Sequence, residues 1–174
     1  YWLDGLVRLA YILDDPYLID KARSRLDLVV DGVLDGGASF VYWLPKEILK
    51  KPFDNWAHSH MGRALVAYYQ ATGDPRILEA MVRVYRDYPL PDLPANFYPV
   101  SGAVNVDPML DVYTLSGETA ILDRVLAQSR SDTTVQSMEA WLNDNWSDQL
   151  HTVIVNENIR VPALLHPWTG RPEH

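Results

Sequence analysis

The first residues of this sequence that could do chemistry are histidines and a glutamate in apolar surroundings. His60 stands at the N-terminal end of a predicted helix, where an imidazole and free backbone N–H groups can hold ligand hydroxyls. His151 leads a second such helix, and Glu157 follows it in an otherwise apolar run. A buried glutamate is costly unless it is paired or faces a polar cavity. We therefore predict that Glu157 faces a cleft or, alternatively, pairs with Arg160 or Arg63.

The pair of neighbouring histidines does not predict a metal site. His58 and His60 are two residues apart, so on a helix their side chains point about 200° away from each other and cannot ligate one ion. Asp54 stands four residues before His58, which favours a local hydrogen bond or a helix cap. His58 and His60 are also compatible with structural histidines that are bonded to nearby carbonyl groups.

Aromatic side chains near these histidines are candidates for stacking on a sugar ring. Trp43 lies in an aromatic, proline-containing loop, residues 35–54, and Trp56 follows that loop directly. The apolar C–H face of a sugar packs well against an aromatic ring. Six tryptophans and ten tyrosines are a high load, and most aromatic residues of a helical core only pack. Trp56, beside the histidines, is the best candidate.

A recurring helix–turn–helix junction must position these side chains. Four positions mark it, 44 to 59 residues apart, each at the end of an apolar helical pattern: Asp14, Gly73, Gly117 and Gly170. The glycines can end a helix in the left-handed conformation. Asp15-Pro16 and Asp74-Pro75 place an N-cap before a proline at the first helical position. Each repeat therefore predicts a pair of helices.

The hydrophobic patterns divide these helices into two layers. Patterns that begin after Pro16, Pro75 and Glu118 are amphipathic and predict an outer layer. The inner layer is predicted where the sequence is more uniformly apolar, over residues 2–13, 55–71, 104–115 and 154–168. Residues 133–146 predict a further amphipathic helix. The whole chain, residues 1–174, is thus expected to be one all-α domain of three to four helical hairpins.

Composition excludes several classes of function. The net charge of −8 disfavours a polyanion such as nucleic acid, and no apolar stretch approaches the roughly 20 residues that cross a bilayer. The chain has no cysteine, so it forms no disulfide and no thiolate metal site. Cytoplasmic, periplasmic and secreted bacterial settings stay open. The ends of the sequence suggest a piece of a longer protein.

Six segments share a pattern with a known family, namely Tyr1-Trp2-Leu3-Asp4-Gly5-Leu6, residues 9–16, residues 60–74, His151-Thr152-Val153, Val161-Pro162-Ala163-Leu164-Leu165 and Thr169-Gly170. They resemble glycoside hydrolase family 127, whose characterised members are β-L-arabinofuranosidases. The opening motif is similar to the start of the family's helical region, and two histidine-led helices follow in the family's order. The segment led by His60 runs into the family's Thr-Gly-Asp turn.

The resemblance implies an (α/α)6 toroid, of which this chain is a partial ring, and the retaining hydrolysis of a furanoside. It also implies a zinc-associated cysteine nucleophile and a glutamate acid/base, both C-terminal to the matched region. The chain would then be the N-terminal part of a catalytic domain, with no cofactor of its own and zinc in the full-length parent. Its expected partner is a glycan or oligosaccharide. The expected sugar-binding residues are His60, His151, Trp56, His58, Glu157 and Trp43.

Other interpretations stay open. The absence of cysteine also suits a non-catalytic helical module that binds carbohydrate or peptide. In a related toroid, such as an epimerase or an unsaturated glucuronyl hydrolase, His60 or His151 would carry a proton. A partial ring exposes apolar faces of its inner helices, so the isolated chain is expected to self-associate.

Overall fold

The computed structural model describes residues 1–37, 39–40, 55–88, 104–130, 143, 156–157 and 159–172. This part of the chain is helical and contains no strand, which confirms the all-α class. None of the helices found in it is long and apolar enough to cross a membrane. The seven described helices are α1 (Trp2–Leu13), α2 (Pro16–Leu34), α3 (Asn55–Thr72), α4 (Pro75–Arg86), α5 (Val106–Ser116), α6 (Thr119–Arg130) and α7 (Val161–Thr169).

Two of the helix starts follow the predicted Asp-Pro rule. The Asp15 carboxylate accepts hydrogen bonds from the backbone N–H groups of Tyr17 and Leu18, at 2.9 and 3.0 Å. The Asp74 carboxylate accepts from the N–H of Arg76 at 2.9 Å. In both helices proline occupies the first turn, where its missing N–H has no intrahelical partner to lose. The capping aspartates therefore set where α2 and α4 begin.

The predicted helix ends are confirmed by left-handed backbone conformations. Gly73, Gly117 and Gly170 have φ values of 67°, 72° and 59°, a region in which a residue without Cβ is unstrained. Asp14 adopts the same conformation with φ of 50°, and it is the one non-glycine residue of positive φ among the described residues. Each of these residues ends a helix, and after Asp14, Gly73 and Gly117 the next helix begins two residues later.

The helices form two layers, as their hydrophobic patterns predict. The inner helices α1, α3, α5 and α7 pack in that order, and the outer helices α2, α4 and α6 pack in a second row. Hairpins α1–α2, α3–α4 and α5–α6 join the layers. The first three inner helices match their predicted bounds within two residues, whereas α7 begins at Val161, later than the predicted residue 154. The helix predicted over residues 133–146 lies outside the described residues, apart from Asn143.

Polar contacts tie neighbouring helices together. The Tyr68 hydroxyl of α3 donates to the Asp27 carboxylate of α2 at 2.8 Å, and burial raises the pKa of Tyr68. The Arg83 guanidinium of α4 donates to the Leu34 carbonyl, at the end of α2, at 2.9 Å. The Arg124 guanidinium of α6 donates to the carbonyls of Arg86 and Tyr88 at the end of α4. The contacts made by Arg83 and Arg124 satisfy carbonyls that the end of a helix leaves without intrahelical partners.

Candidate functional site

The candidate site lies along one edge of the inner row, at the N-terminal ends of α1, α5 and α7 and along the first half of α3. His60, predicted at the N-terminal end of its helix, is the sixth residue of α3 and Arg63 is the ninth, so the backbone N–H of His60 is beyond the first four that a helix leaves without partners. Tyr1 precedes α1, Trp56 is the second residue of α3, Asp107 is the second residue of α5, and Arg160 precedes α7. Contacts join side chains of this edge from α1 to α3, from α3 to α5 and from α5 to α7. The edge has two parts, an aromatic cluster (Tyr1, Trp56 and His60) and a charged cluster (Arg63, Asp107, Glu157 and Arg160).

The aromatic cluster forms between α1 and α3. The Tyr1 and His60 rings are tilted against each other with centroids 3.9 Å apart, and the Trp56 ring meets His60 edge to face at 5.7 Å. The Trp56 indole N–H donates to the Tyr1 hydroxyl at 2.8 Å. Trp56 and His60 are half-buried, whereas Tyr1 is exposed. The cluster therefore keeps aromatic surface open to a ligand while the hydrogen bond holds the indole in place.

The surroundings of His60 favour its neutral form. Burial lowers the pKa of the His60 imidazole, and the positive charge of Arg63 lowers it further. The carboxylates of Asp4 and Glu157 oppose this shift. A neutral imidazole has one donor and one acceptor nitrogen, so it can bond a hydroxyl group in either direction.

Two arginines and two carboxylates make up the charged cluster. The Arg63 guanidinium donates to the Asp107 carboxylate at 2.9 Å and lies 3.5 Å from that of Glu157. The Arg160 guanidinium bridges the same two carboxylates. All four side chains are between a fifth and a third exposed. The cluster therefore links α3, α5 and the start of α7, and its formal charges cancel.

One donor of the charged cluster and one neighbouring carboxyl group are not part of its ion pairs. The Nε atom of Arg63 is buried and has no hydrogen-bond partner among the described residues. Asp111 stands one helical turn after Asp107, and its pKa is raised because protein atoms crowd its carboxyl group and because Asp107 is negatively charged. Arg8 and Arg63 partly offset that rise. The inner edge of α5 thus carries two carboxyl groups in different electrostatic surroundings.

His58 lies apart from this edge, inside the core. Its Nε2 atom is 2.7 Å from the Ser39 hydroxyl, and its ring lies between those of Phe40 and Tyr88, both at 5.4 Å. The side chain is fully buried. The hydrogen bond holds the segment after α2 against α3. A ligand-binding role for His58 stays a prediction.

Of the six predicted site residues, the structure brings three together, namely Trp56, His60 and Glu157. Trp43 and His151 lie outside the described residues. The pairing of Glu157 with Arg160 and Arg63 is the alternative that sequence analysis left open. It follows from the cost of leaving a carboxylate unpaired among apolar residues.

Sequence analysis missed the contribution of Tyr1, and it did not assign Arg63 or Asp107 to the site. One signal was available in α3. Trp56, His60 and Arg63 are spaced i, i+4 and i+7, which places them on one helix face. No comparable signal in the sequence connects Tyr1 or Asp107 to that face.

A zinc ion was implied only for the full-length parent of the resembled family. No three histidine, cysteine, aspartate or glutamate side chains within the described part of the chain are grouped to hold a metal ion. The carboxylates of the charged cluster form ion pairs with arginines, which are not metal ligands. These residues do not fit a zinc site, so no chemical step is assigned to one.

No family model, curated protein or solved structure matches this chain significantly. The functional argument therefore rests on the edge formed by the inner helices.

Proposed function

We propose that this chain supplies part of the sugar-binding wall of a glycoside hydrolase catalytic domain, and that its hairpins belong to an (α/α)6 toroid. The reaction would be hydrolysis of glycosidic bonds in glycans, with β-L-arabinofuranosides as the first substrates to test. One observation carries the proposal. An open aromatic cluster adjoins a cluster of paired charges on neighbouring inner helices.

The aromatic cluster supports sugar binding because sugars combine an apolar C–H face with a rim of hydroxyls. The Trp56 indole offers an aromatic face, and its hydrogen bond to Tyr1 fixes the position of the ring. His60 stands beside that face, one helical turn further along α3. A sugar stacked on the indole would bring a hydroxyl within reach of the imidazole.

The charged cluster supports recognition of hydroxyls more than acid/base chemistry. Arg63 and Arg160 hold the Asp107 carboxylate from two sides in ion pairs. Paired in this way, the guanidinium groups can donate to sugar oxygens and the carboxylates can accept from sugar hydroxyls. The chemical step is assigned to residues outside this chain, because the nucleophile that the resemblance implies is a cysteine and the chain has none.

The proposal is tested by titrating the chain with methyl β-L-arabinofuranoside in a calorimeter. We expect the Trp56→Ala variant to weaken binding about tenfold and the Trp56→Phe variant, which keeps an aromatic face, to weaken it less. The matched control is Trp168→Ala, because Trp168 also packs edge to face on a tyrosine, Tyr113, at 5.1 Å, but at the far end of α7. Equal losses in the Trp56 and Trp168 variants would contradict the proposal.

A second candidate is a non-catalytic module that binds carbohydrate or peptide. The observation that favours it is that both carboxylates of the charged cluster are engaged by arginines. The two candidates differ in what the parent protein does. Release of L-arabinose from arabinofuranosyl oligosaccharides by the full-length protein supports the hydrolase, whereas sugar binding without any release supports the module.

A further inference from the structure

Charged side chains of several inner helices meet on one face of the row. Arg8 of α1 acts electrostatically on the carboxyl group of Asp111 in α5, although α3 packs between these two helices. Asp4 of α1 and Glu157, which precedes α7, both act on His60 of α3. These interactions require that the side chains project from the same side of the row. The inner helices therefore share one polar face.

The carboxyl group of Asp111 is not part of an ion pair, which sets it apart on this face. The carboxylates of Asp4, Asp107 and Glu157 pair with arginines. Asp111 forms no hydrogen bond or ion pair through its side chain within the described part of the chain. The residue is exposed, yet protein atoms crowd its carboxyl group enough to raise the pKa. A carboxyl group that is both accessible and crowded is typical of a cleft that holds a ligand.

A buried hydroxyl group reaches the same place from the outer layer. Tyr85 of α4 is fully buried, and its hydroxyl has no hydrogen-bond partner among the described residues. A carbon added at Gly62 would lie 1.9 Å from that hydroxyl and 3.0 Å from the Cβ atom of Pro108, so the hydroxyl lies where α3 meets α5. Arg63 and Asp111 both act on it electrostatically. Hydrogen-bonding capacity is therefore left unused beside Asp111, at a cost in free energy.

The charges around Asp111 favour a neutral ligand that carries hydroxyl groups. Arg8 and Arg63 balance the charges of Asp107 and Asp111, so neither a cation nor an anion is attracted strongly. A carboxylate accepts hydrogen bonds from hydroxyl groups, and guanidinium groups donate to oxygen atoms. A sugar unit has both kinds of partner.

Asp111 is too far along the helices to contact a sugar ring that stacks on Trp56. Trp56 and Arg63 are seven residues apart on α3, which is about 10 Å along the helix axis. Asp111 lies one helical turn beyond Asp107, the partner of Arg63. This separation exceeds the width of one furanose ring, so a glycan held at Trp56 reaches Asp111 through a further sugar unit.

We propose that Asp111 forms a second sugar subsite, in which its carboxyl group binds a hydroxyl of a further sugar unit of the same glycan. The inference rests on the proposed function, because it takes the first sugar unit to be bound at Trp56. It adds that the site prefers an oligosaccharide to a single sugar.

The test is calorimetric titration of the 174-residue chain with methyl β-L-arabinofuranoside and with the methyl glycosides of β-L-arabinofuranosyl disaccharides and trisaccharides. We expect at least one of the longer sugars to bind the wild type about tenfold more tightly than the monosaccharide does. The Asp111→Ala variant should lose that advantage and keep the affinity for the monosaccharide, which also shows that the variant is folded. Asp111→Asn, which keeps an acceptor oxygen, should lose only part of the advantage.

The matched control is Asp123→Ala. Asp123 is likewise an exposed helical aspartate, but it lies on the outer helix α6. This variant should bind the monosaccharide and the longer sugars as the wild type does.

The two proposals fail in different ways. If no sugar binds the wild type, the proposed function is wrong and the second subsite with it. If the monosaccharide binds through Trp56 but no longer sugar binds more tightly, only the second subsite is overturned. It is also overturned if the advantage of the longer sugar survives in Asp111→Ala or is lost equally in Asp123→Ala.

Discussion

A side-chain carbon on Gly62 of α3 would lie 1.9 Å from the hydroxyl oxygen of Tyr85 on α4. Tyr85 is fully buried, and its hydroxyl has no hydrogen-bond partner among the described residues. Burial raises the pKa of that hydroxyl well above its ordinary value, so it stays protonated. The close approach of α3 and α4 therefore depends on the absence of a side chain at residue 62, next to the Arg63 of the candidate site.

The first prediction concerns this contact. The Gly62→Ala variant should lower the free energy of unfolding by about 2 kcal/mol or more, although alanine is the better helix former, because the buried tyrosine ring has nowhere to move. Urea denaturation measures the change. Tyr85→Phe alone should shift the stability by less than about 1 kcal/mol, since the hydroxyl it removes makes no hydrogen bond within the described part of the chain.

The double variant is the control for that explanation. Tyr85→Phe removes the nearest atom that the new methyl group would strike, so it should recover part of the loss caused by Gly62→Ala. The Cβ atom of Pro108 and the Cζ atom of residue 85, at 3.0 and 3.1 Å from the new carbon, keep the remaining loss. Additive losses in the double variant would show that the tyrosine hydroxyl is not the obstacle.

The charged cluster gives the second prediction. The Arg160→Met variant should destabilise the fold by about 1 kcal/mol, because it leaves Asp107 and Glu157 close together with one arginine fewer. Adding Glu157→Gln should restore part of that loss. The exposed pair of Arg8 and Asp4 on α1 serves as the comparison, and Arg8→Met should cost only about 0.3 kcal/mol. Thermal denaturation at low and high salt measures the stability of both variants. Equal losses of stability in Arg160→Met and Arg8→Met would contradict a stabilising role for the charged cluster.

The third prediction concerns the arginine at the end of α4. The Arg124→Met variant should cost about 1 to 2 kcal/mol, because it leaves the carbonyls of Arg86 and Tyr88 without their guanidinium donor. Arg86→Met is the matched control, since the Arg86 side chain contacts the neighbouring exposed Asp87 at 3.4 Å, and it should change stability by less than about 0.5 kcal/mol. Chemical denaturation of both variants distinguishes them, and similar losses would refute a capping role.

His60 provides a prediction on pH. Its pKa in the folded chain is lowered from the usual 6.5, so the unfolded chain takes up a proton first as the pH falls. This group therefore costs no stability above the unfolded pKa, and stability falls as the pH drops from there through the folded pKa. The His60→Phe variant should lose less melting temperature between pH 7 and pH 5 than the wild type. Proton NMR titration of the imidazole checks the cause, and a midpoint at or above 6.5 would contradict it.

The helix boundaries were largely predictable because local chemistry sets them. Asp15 caps its own helix and Gly73 adopts a conformation that other residues avoid, and both effects act within a few residues of the chain. The segment predicted as helical from residue 154 is helical at residues 156, 157 and 159, and a turn at Arg160 separates these residues from α7. Pro162, which suits the first turn of a helix, marks the observed start at Val161 more closely than the apolar run before it does.

The candidate site was only partly predictable because its contacts are distant in sequence. Trp56 and His60 were predicted as site residues because an aromatic residue and a histidine lie near the start of one helix. The hydrogen bond from Trp56 to Tyr1 spans 55 positions and that from Arg160 to Asp107 spans 53. Such contacts depend on how neighbouring inner helices align, and a pattern confined to one helix does not specify that alignment.

The measurement that tests the central claim most directly is a sugar titration followed by the six tryptophan indole N–H signals in a 15N-labelled sample. The Trp56 signal is identified by its loss in the Trp56→Phe variant, and the Trp168 signal in the same way. If the inner-helix edge binds sugar, adding methyl β-L-arabinofuranoside shifts the Trp56 signal in a saturable manner and leaves that of Trp168 in place. A Trp56 signal that stays unchanged at saturating sugar would contradict the proposed function.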